Sequence, residues 1–466
     1  MPGGSGSPSG LEAQKGPAEL KIDLEDARSF STAPLQHEAL ERYGKMLIFL
    51  FLCAIVATAI LSGSFQRASH WYNLTPLSRA FALPLIFYSF LTSVNLMYRA
   101  VLSLRYRPFP VKGFTPAVTV VIPAYNEGAM VEKSIVSSME ADYPTGRREV
   151  IVVDDGSTDD TWAYIQRAKA RYPEVSTVRL ERNMGKRHAL AVGFEKARGE
   201  FIVTMDSDSV MDRDGLRAVL APFEGEKVGA VTARVKVYNR SDNLITRMLS
   251  VRYAMAFQFF RSSQSVFNTV MCCSGVLSAY RRAVLDRIVH PWLHQTFLGA
   301  RCTYGDDRAL TNFILREGYD TVYQSAAVVS TMAPANLPKL SKMLVRWHKS
   351  FIRENILFSR FMFSSYRETN RVLPVVDFTL VGIMFPFQFY TFGYSMYFVL
   401  RDPLLVFRFL SLIILMGLFY MLFYIRFERN SDFVYGVLYS FLHVFVLMWT
   451  IPYAALTLKD GRWLTR

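Results

Sequence analysis

Five long uncharged runs constrain this chain more than anything else in it: residues 46–65, 80–98, 378–400, 409–425 and 433–458. A helix that crosses a bilayer needs about 20 largely apolar residues, because every backbone polar group must be satisfied within the helix itself. The set reads as transmembrane, with only 409–425 short enough to question. A lipid bilayer is therefore a partner. An apolar content of 51% with 14% aromatic, heavy for a soluble protein, has the same origin.

A formal charge of +14 could suggest nucleic acid. The basic residues, however, flank the apolar runs as the positive-inside rule requires: Arg99, Arg105 and Arg107 follow the second, Arg426 and Arg429 the fourth. Both sites are expected in the cytoplasm, and no nucleic acid is expected as partner. The last run contains Pro452. It either crosses once or breaks at the proline and returns, and the charge of residues 459–466 favours the return. Four cysteines without a Cys-x-x-Cys pair support neither a disulfide framework nor a zinc site.

Residues 1–45 open rich in Gly, Ser and Pro and read as a disordered tail ending in a short helix before Lys45. Two spans (46–98) follow, joined by a short interfacial loop at 67–79 with Trp71 and Tyr72. From 99 to 335 the chain changes character. Val118-Thr119-Val120-Val121-Ile122 is a strand of the kind buried on both faces, and Val150-Ile151-Val152-Val153 and Phe201-Ile202-Val203-Thr204 repeat it between helical stretches. Such alternation predicts a parallel sheet binding ligands beyond its strand carboxyl ends. All three strands end in polar residues there: Tyr125-Asn126-Glu127, Asp154-Asp155-Gly156-Ser157 and Asp206-Ser207-Asp208.

Two carboxylates two apart on an extended chain point the same way, so Asp206 and Asp208 can meet one hard cation, Mn2+ or Mg2+, shared with substrate phosphates. Asp154–Ser157 could equally be a turn with a helix cap. Lys186, beside Gly185, is either part of a solvated turn or a counter-charge for a diphosphate. Asp306 and Asp307, after Gly305, either cap the following helix or supply a general base. Residues 336–370 hold an amphipathic segment. Lys339, Lys342, Arg346, Lys349 and Arg353 alternate with Leu340, Leu344, Trp347 and Phe351 at steps of three and four, as in an anchor on acidic lipid. Residues 244–267, rich in Phe and Met, read as a second interfacial helix. The C-terminal spans occupy 371–458.

Together, residues 121–128, 152–159, 183–189, the Asp206/Asp208 pair, Gly305–Arg308 and Arg346-Trp347 resemble the processive, membrane-embedded family 2 glycosyltransferases, which include cellulose, chitin and hyaluronan synthases. The stretches Asn243-Leu244-Ile245-Thr246-Arg247, Cys273-Ser274-Gly275, Gln295–Gly299, Gly305–Asn312 and Arg346–Glu354 are most similar to bacterial hyaluronan synthases. The resemblance runs from about Leu47 to the C-terminus.

It implies an α/β GT-A (Rossmann-like) glycosyltransferase domain on the cytoplasmic side of the plasma membrane, inserted between N- and C-terminal spans. Tyr125, Glu127 and Asp155 would hold uridine, with Lys186 near the nucleotide. Asp208 with Asp206 would bind the metal, and Asp307, with Asp306 beside it, would be the base. Cys302 would line the acceptor site, Arg346 would face the diphosphate and Trp347 would floor the acceptor sugar. The implied reaction is inverting polymerisation of UDP-N-acetylglucosamine and UDP-glucuronate into hyaluronan, with the growing polysaccharide translocated. The alternatives are a chitin or chitooligosaccharide synthase using UDP-N-acetylglucosamine alone, a non-processive transferase, and a non-catalytic export subunit. Two departures stand out: Met343 replaces the motif's Gln, and the closing Trp-Gly-Thr-Arg appears as Trp463-Leu464-Thr465-Arg466.

Overall fold

The computed structural model describes residues 35–367 and 371–461, so Trp463 and Arg466 lie outside the described residues. The described residues form ten strands: β1 Val118–Ala124, β2 Arg148–Asp154, β3 Ser176–Arg179, β4 Phe201–Met205, β5 Ser209–Met211, β6 Val228–Val237, β7 Leu277–Arg281, β8 Thr296–Phe297, β9 Ala300–Arg301 and β10 Asp320–Thr331. Eight of them make one sheet in the order β3-β2-β1-β4-β7-β6-β10-β5, while β8 and β9 form a small hairpin.

The sheet is mixed, which corrects the expectation of a parallel one. β3, β2, β1 and β4 run parallel, as do β6 and β10, but β7 is antiparallel to both its neighbours and β5 is antiparallel to β10. The three apolar strands recognised in the sequence are β1, β2 and β4, and β1 is buried along its whole length as a central strand must be. β3 escaped notice because its Ser-Thr-Val-Arg sequence is a half-exposed edge.

Among the described residues, four helices are long and apolar enough to cross a membrane: Arg42–Leu61, Pro76–Arg105, Val372–Arg401 and Leu405–Glu428. The first belongs to a helix that already starts at Leu35, so the tail expected through residue 45 is helical from there on. The questioned run 409–425 lies inside a full-length helix. Between the first two spans, the expected loop is largely a helix, Ser64–Asn73.

The last run is a pair of helical segments, Phe433–Leu447 and Thr450–Leu456, bent by 46°. Both of its ends meet the sheet domain and its flanking helix. Before it, Asp432 pairs with Arg240 and, at 2.7 Å, with Lys45. After it, the Leu458 carbonyl accepts from Tyr304 Oη at 2.9 Å and the Asp460 carbonyl from Lys349 Nζ at 3.1 Å. A single crossing would carry those ends to opposite faces of a bilayer about 30 Å thick. The contacts fit the return.

One hydrophobic core joins the sheet to the membrane helices: Val120, Phe201, Met248, Phe259, Ile414, Met421 and Tyr435 belong to one buried cluster. Residues 244–265, continuous helix with a π-helical stretch at Met255–Arg261, lie between the two parts. The segment expected to lie on lipid is thus largely buried protein, each large side chain contributing about 1.5–3 kcal/mol. A buried ion pair between Arg99 and Asp377 at 2.6 Å ties the second span to the third, each charge meeting the partner that its burial requires.

Candidate active site

The loops after β1 and β2 are locked together. Asn126 takes a left-handed φ of 51°, which asparagine tolerates; its N–H donates to Ser157 Oγ at 3.0 Å and its Oδ1 accepts from the Thr158 N–H at 2.9 Å. The Glu127 and Gly128 N–H groups both donate to Thr161 Oγ1, at 2.8 and 2.9 Å. Tyr125 is half-buried at the end of β1. Asp155 is buried and accepts the N–H groups of Met184 and Gly185, each at 2.8 Å. Burial raises its carboxyl, and those two bonds oppose the rise. It braces the turn that presents Lys186.

Asp206 and Asp208 sit on the turn between β4 and β5, closed by the Ser209 N–H donating to the Asp206 carbonyl at 3.1 Å, so the segment is a turn and not the extended chain expected; the two half-buried acids lie either side of a buried Ser207. Asp208 Oδ1 accepts from Thr331 Oγ1 at 3.1 Å and Ser209 Oγ at 3.2 Å. Burial, and then the charge of Asp206, raises the Asp208 carboxyl. Lys186 pairs with Asp206 and lies 3.7 Å from an Asp306 oxygen. Burial works against its charge, but Asp206, Asp306 and Asp307 outweigh that and hold the ammonium protonated. Gly275 leaves room for this pair: a Cβ there would stand 2.9 Å from Lys186 Nζ and 3.3 Å from Asp206 Oδ1.

Gly305, at φ 68°, opens the helix Asp306–Arg316. The Asp306 carbonyl accepts from Trp292 Nε1 at 3.0 Å. Asp307 holds its first carboxylate oxygen on the Arg308 N–H at 2.7 Å and its second near the Gly275 N–H at 3.4 Å and Cys272 Sγ at 3.6 Å. Cys302 is buried; burial raises its thiol, and the charges of Arg353 and Arg187 oppose this.

Arg346 and Trp347 lie on the helix Leu337–Ser359. Burial lowers the Arg346 guanidinium, while Asp306, Asp206, Asp307 and Asp208, in that order, support its charge. All four acids therefore lie near enough to act on its charge. The second half of this helix's basic stripe faces protein, not lipid, which narrows the amphipathic reading to its first turns. Lys349 and Arg353 are buried, bonded to the Asp460 carbonyl and to Glu354, and only Lys339 and Lys342 at the helix start are exposed. Buried cations persist where partners meet them, and here those partners are the C-terminal segment and the helix's own glutamate. Trp347 is 40% exposed and its ring lies 6.0 Å from that of Tyr253. The Tyr253 hydroxyl is 3.8 Å from Met343 Sδ, so the side chain replacing the motif's Gln packs beneath this aromatic pair.

Residues 119–289 match the glycosyl transferase family 2. A hyaluronan synthase of Streptococcus pyogenes is 33% identical over 389 residues, covering 81% of this chain and 90% of that protein. The chain belongs to the hyaluronan synthase-like family 2 glycosyltransferases. An N-acetylglucosaminyltransferase of Azorhizobium caulinodans is 30% identical over 360 residues, covering 76% of this chain and 88% of that one. Among solved structures, a mannosyltransferase of Pyrobaculum calidifontis in complex with GDP-Man and Mn2+ overlays with a TM-score of 0.49 at 20% identity, over 84% of this chain and 99% of that one.

This hyaluronan synthase-like transferase is an enzyme of the membrane, with a GT-A domain between apolar helices. Sequence reasoning assigned no role at the site to Cys272, Gly275, Arg187, Gln295 or Tyr253, although Gly275, Arg187 and Gln295 lie within the stretches that carried the resemblance. Cys272 and Gly275 sat within sight, flanking Cys273-Ser274, but nothing local says which residue of that stretch meets Asp307. Gln295 precedes a two-residue turn with Leu298 at φ 51° and Gly299 at φ 80°. The small hairpin that this turn closes emerges only in the structure, and nothing local to it names its neighbours.

Proposed function

We propose that this transferase polymerises UDP-N-acetylglucosamine and UDP-glucuronate alternately into hyaluronan at the cytoplasmic face of the plasma membrane and passes the chain through its own helices. One observation carries the reading. Lys186, Asp206, Asp208, Asp306, Asp307 and Arg346 act on one another electrostatically at a single place, on a domain sharing its core with the membrane helices. The S. pyogenes relative named a hyaluronan synthase supports the product.

Asp307 is the general base in this reading, taking the proton of the acceptor hydroxyl as oxygen attacks the anomeric carbon opposite the leaving UDP. Its oxygens are steered by the Arg308 and Gly275 N–H groups, so basicity is aimed rather than free to rotate. Attack from that side inverts an α-linked donor to a β linkage. Arg346 and Lys186 oppose the charge that builds on the diphosphate. Tyr125, Glu127 and Asp155 form the uridine end, Asp155 acting also by bracing the Met184-Gly185 turn. Trp347, on Tyr253, floors the acceptor, with Cys302 nearby.

The residues fit a divalent ion. Burial and the charge of Asp206 raise the cost of ionising Asp208, which Mn2+ or Mg2+ bound there would relieve, and two protein oxygens suffice for an ion that shares substrate phosphates. Bound there, such an ion would neutralise charge on the leaving diphosphate. Lys186 would then be released from Asp206 toward a phosphate oxygen.

The A. caulinodans relative favours a second reading, transfer of N-acetylglucosamine alone. Purified protein supplied with each UDP-sugar separately and with both decides. High-molecular-weight polymer only with both donors, degraded by hyaluronidase, is expected. Polymer from UDP-N-acetylglucosamine alone, cut by chitinase, would replace this proposal with the second.

A further inference from the structure

Away from the sheet domain, the spans end in a cap built around the helix Ser64–Asn73. The span Pro76–Arg105 reaches the sheet domain at its other end, where Tyr106 Oη donates to the Tyr323 carbonyl at 3.0 Å. Arg79 lies about 40 Å along the helix from Arg105, the thickness of a bilayer with its head groups. The cap is pinned to the turn between the third and fourth spans. Ser64 Oγ donates to the Leu404 carbonyl at 2.7 Å, and Asp402 meets Arg67 at 3.5 Å and Trp71 Nε1 at 3.4 Å.

Between the cap helix and the spans Pro76–Arg105 and Leu405–Glu428 lies a cavity of about 450 Å³. The short side chains of Ala68 and Ala82, both buried in its wall, leave that space, and Arg79 and Arg408 line it. Arg408 Nη1 donates to Tyr72 Oη at 2.9 Å, and its guanidinium lies 5.3 Å from the centre of that ring, which stacks on Tyr394. Among the described residues neither arginine pairs with a carboxylate; Asp402 is engaged by Arg67 and Trp71. From Arg79 the lining continues through Ala82 and Leu83 to Ile86, on one face of the helix. It passes from charge to hydrocarbon over about 10 Å, and Leu83 and Ile86 are exposed.

We propose that this cavity binds one phospholipid with a net anionic head group, in the leaflet opposite the sheet domain. Its phosphate lies between Arg79 and Arg408 and its acyl chain on Leu83 and Ile86. A lone arginine at a bilayer edge snorkels to whatever phosphate is near; here two from different spans open on one volume, and Tyr72 holds one of them. The order of polarity with depth is that of a lipid, whereas a sugar polymer would leave Leu83 and Ile86 unmatched. A zwitterionic head group would bring an ammonium to a cavity lined by two cations and no carboxylate. The site is independent of which sugars the enzyme joins.

The experiment titrates full-length, delipidated protein in detergent with phosphatidylglycerol or phosphatidylcholine of the same acyl chains. Retained lipid is counted by native mass spectrometry for wild type, Arg79→Gln, Arg408→Gln and Arg67→Gln. Bonds to a charged group are worth about ten- to a hundred-fold in affinity. Wild type should bind one phosphatidylglycerol tighter than phosphatidylcholine by about that factor. Arg79→Gln and Arg408→Gln should each lose most of the preference, while Arg67→Gln, which removes a cation at the same end of the spans, should keep it. Unchanged preference in the first two, or an equal loss in Arg67→Gln, overturns the site. Displacement of the lipid by hyaluronan oligosaccharides would hand the cavity to the emerging polymer and overturn it as well. Should the variants fail to fold, a cryo-EM structure of wild type in phosphatidylglycerol nanodiscs decides: phosphate density between the two arginines supports the proposal, and its absence overturns it.

Discussion

Gly305→Ala tests how tightly the catalytic helix must seat. A Cβ at this position would stand 2.0 Å from Ser350 Oγ, 2.6 Å from Ser350 Cβ and 3.0 Å from Arg353 Nη2, on a backbone at φ +68°. Turning the serine hydroxyl away cannot relieve the clash, because Ser350 Cβ is itself too close. Two costs add: about 1–2 kcal/mol for a side chain in the left-handed region, and about 1–3 kcal/mol for overpacking. The total, about 2–5 kcal/mol, must be met by moving the first turn of Asp306–Arg316 away from the helix bearing Arg346. The detergent-solubilised variant should therefore melt several degrees lower and release UDP more slowly. Ser350→Gly removes both clashing serine atoms, so the double variant should regain the overpacking share, about 1–3 kcal/mol of coupling in a double-mutant cycle. It should keep the left-handed cost. A Gly305→Ala protein with wild-type melting temperature and turnover, or strict additivity with Ser350→Gly, would refute the packing argument.

Asp307→Asn preserves size and removes basicity, so turnover should drop by orders of magnitude while UDP affinity persists, and near-normal turnover would take Asp307 out of the mechanism. Excess EDTA should abolish activity, and Mn2+ or Mg2+ should restore it in wild type but not in Asp208→Asn; full activity in EDTA would reject the metal. Burial and the Asp307 charge push the Cys272 thiol up to about 11. Its thiolate fraction, and hence iodoacetamide labelling followed by mass spectrometry, should be low at neutral pH and climb as pH rises toward that value. Replacing Asp307 by Asn lowers the thiol's pKa and should speed labelling at pH 8; equal rates in the two proteins would show that the carboxylate and thiol do not interact.

Much of the architecture was legible because its signals are local. Length and apolarity mark a span without reference to anything else, and β1, β2 and β4 declare themselves by short uncharged runs rich in Val and Ile. Their polar carboxyl ends then mark one edge of the sheet. The Asp-x-Asp pair and the Gly-Asp-Asp turn carry their chemistry in residue type and spacing alone, and family resemblance could assign them expected roles.

The amphipathic helix shows where local reading stops. Lys349 and Arg353 recur at helical spacing with their basic neighbours, and periodicity assigns such a stripe to a charged surface. Their actual partners, the Asp460 carbonyl and Glu354 with the Tyr304 carbonyl, come from the C-terminal segment, the helix itself and the Thr303-Tyr304 loop. Periodicity tells which residues share a face, not what that face meets. The same limit hid β7, whose direction is set by which strands it pairs with. It also hid Arg79 and Arg408, identical in sequence terms to any basic residue near the end of a span. Their significance is that folding opens both on one cavity, and such a convergence is a property of the packed chain as a whole.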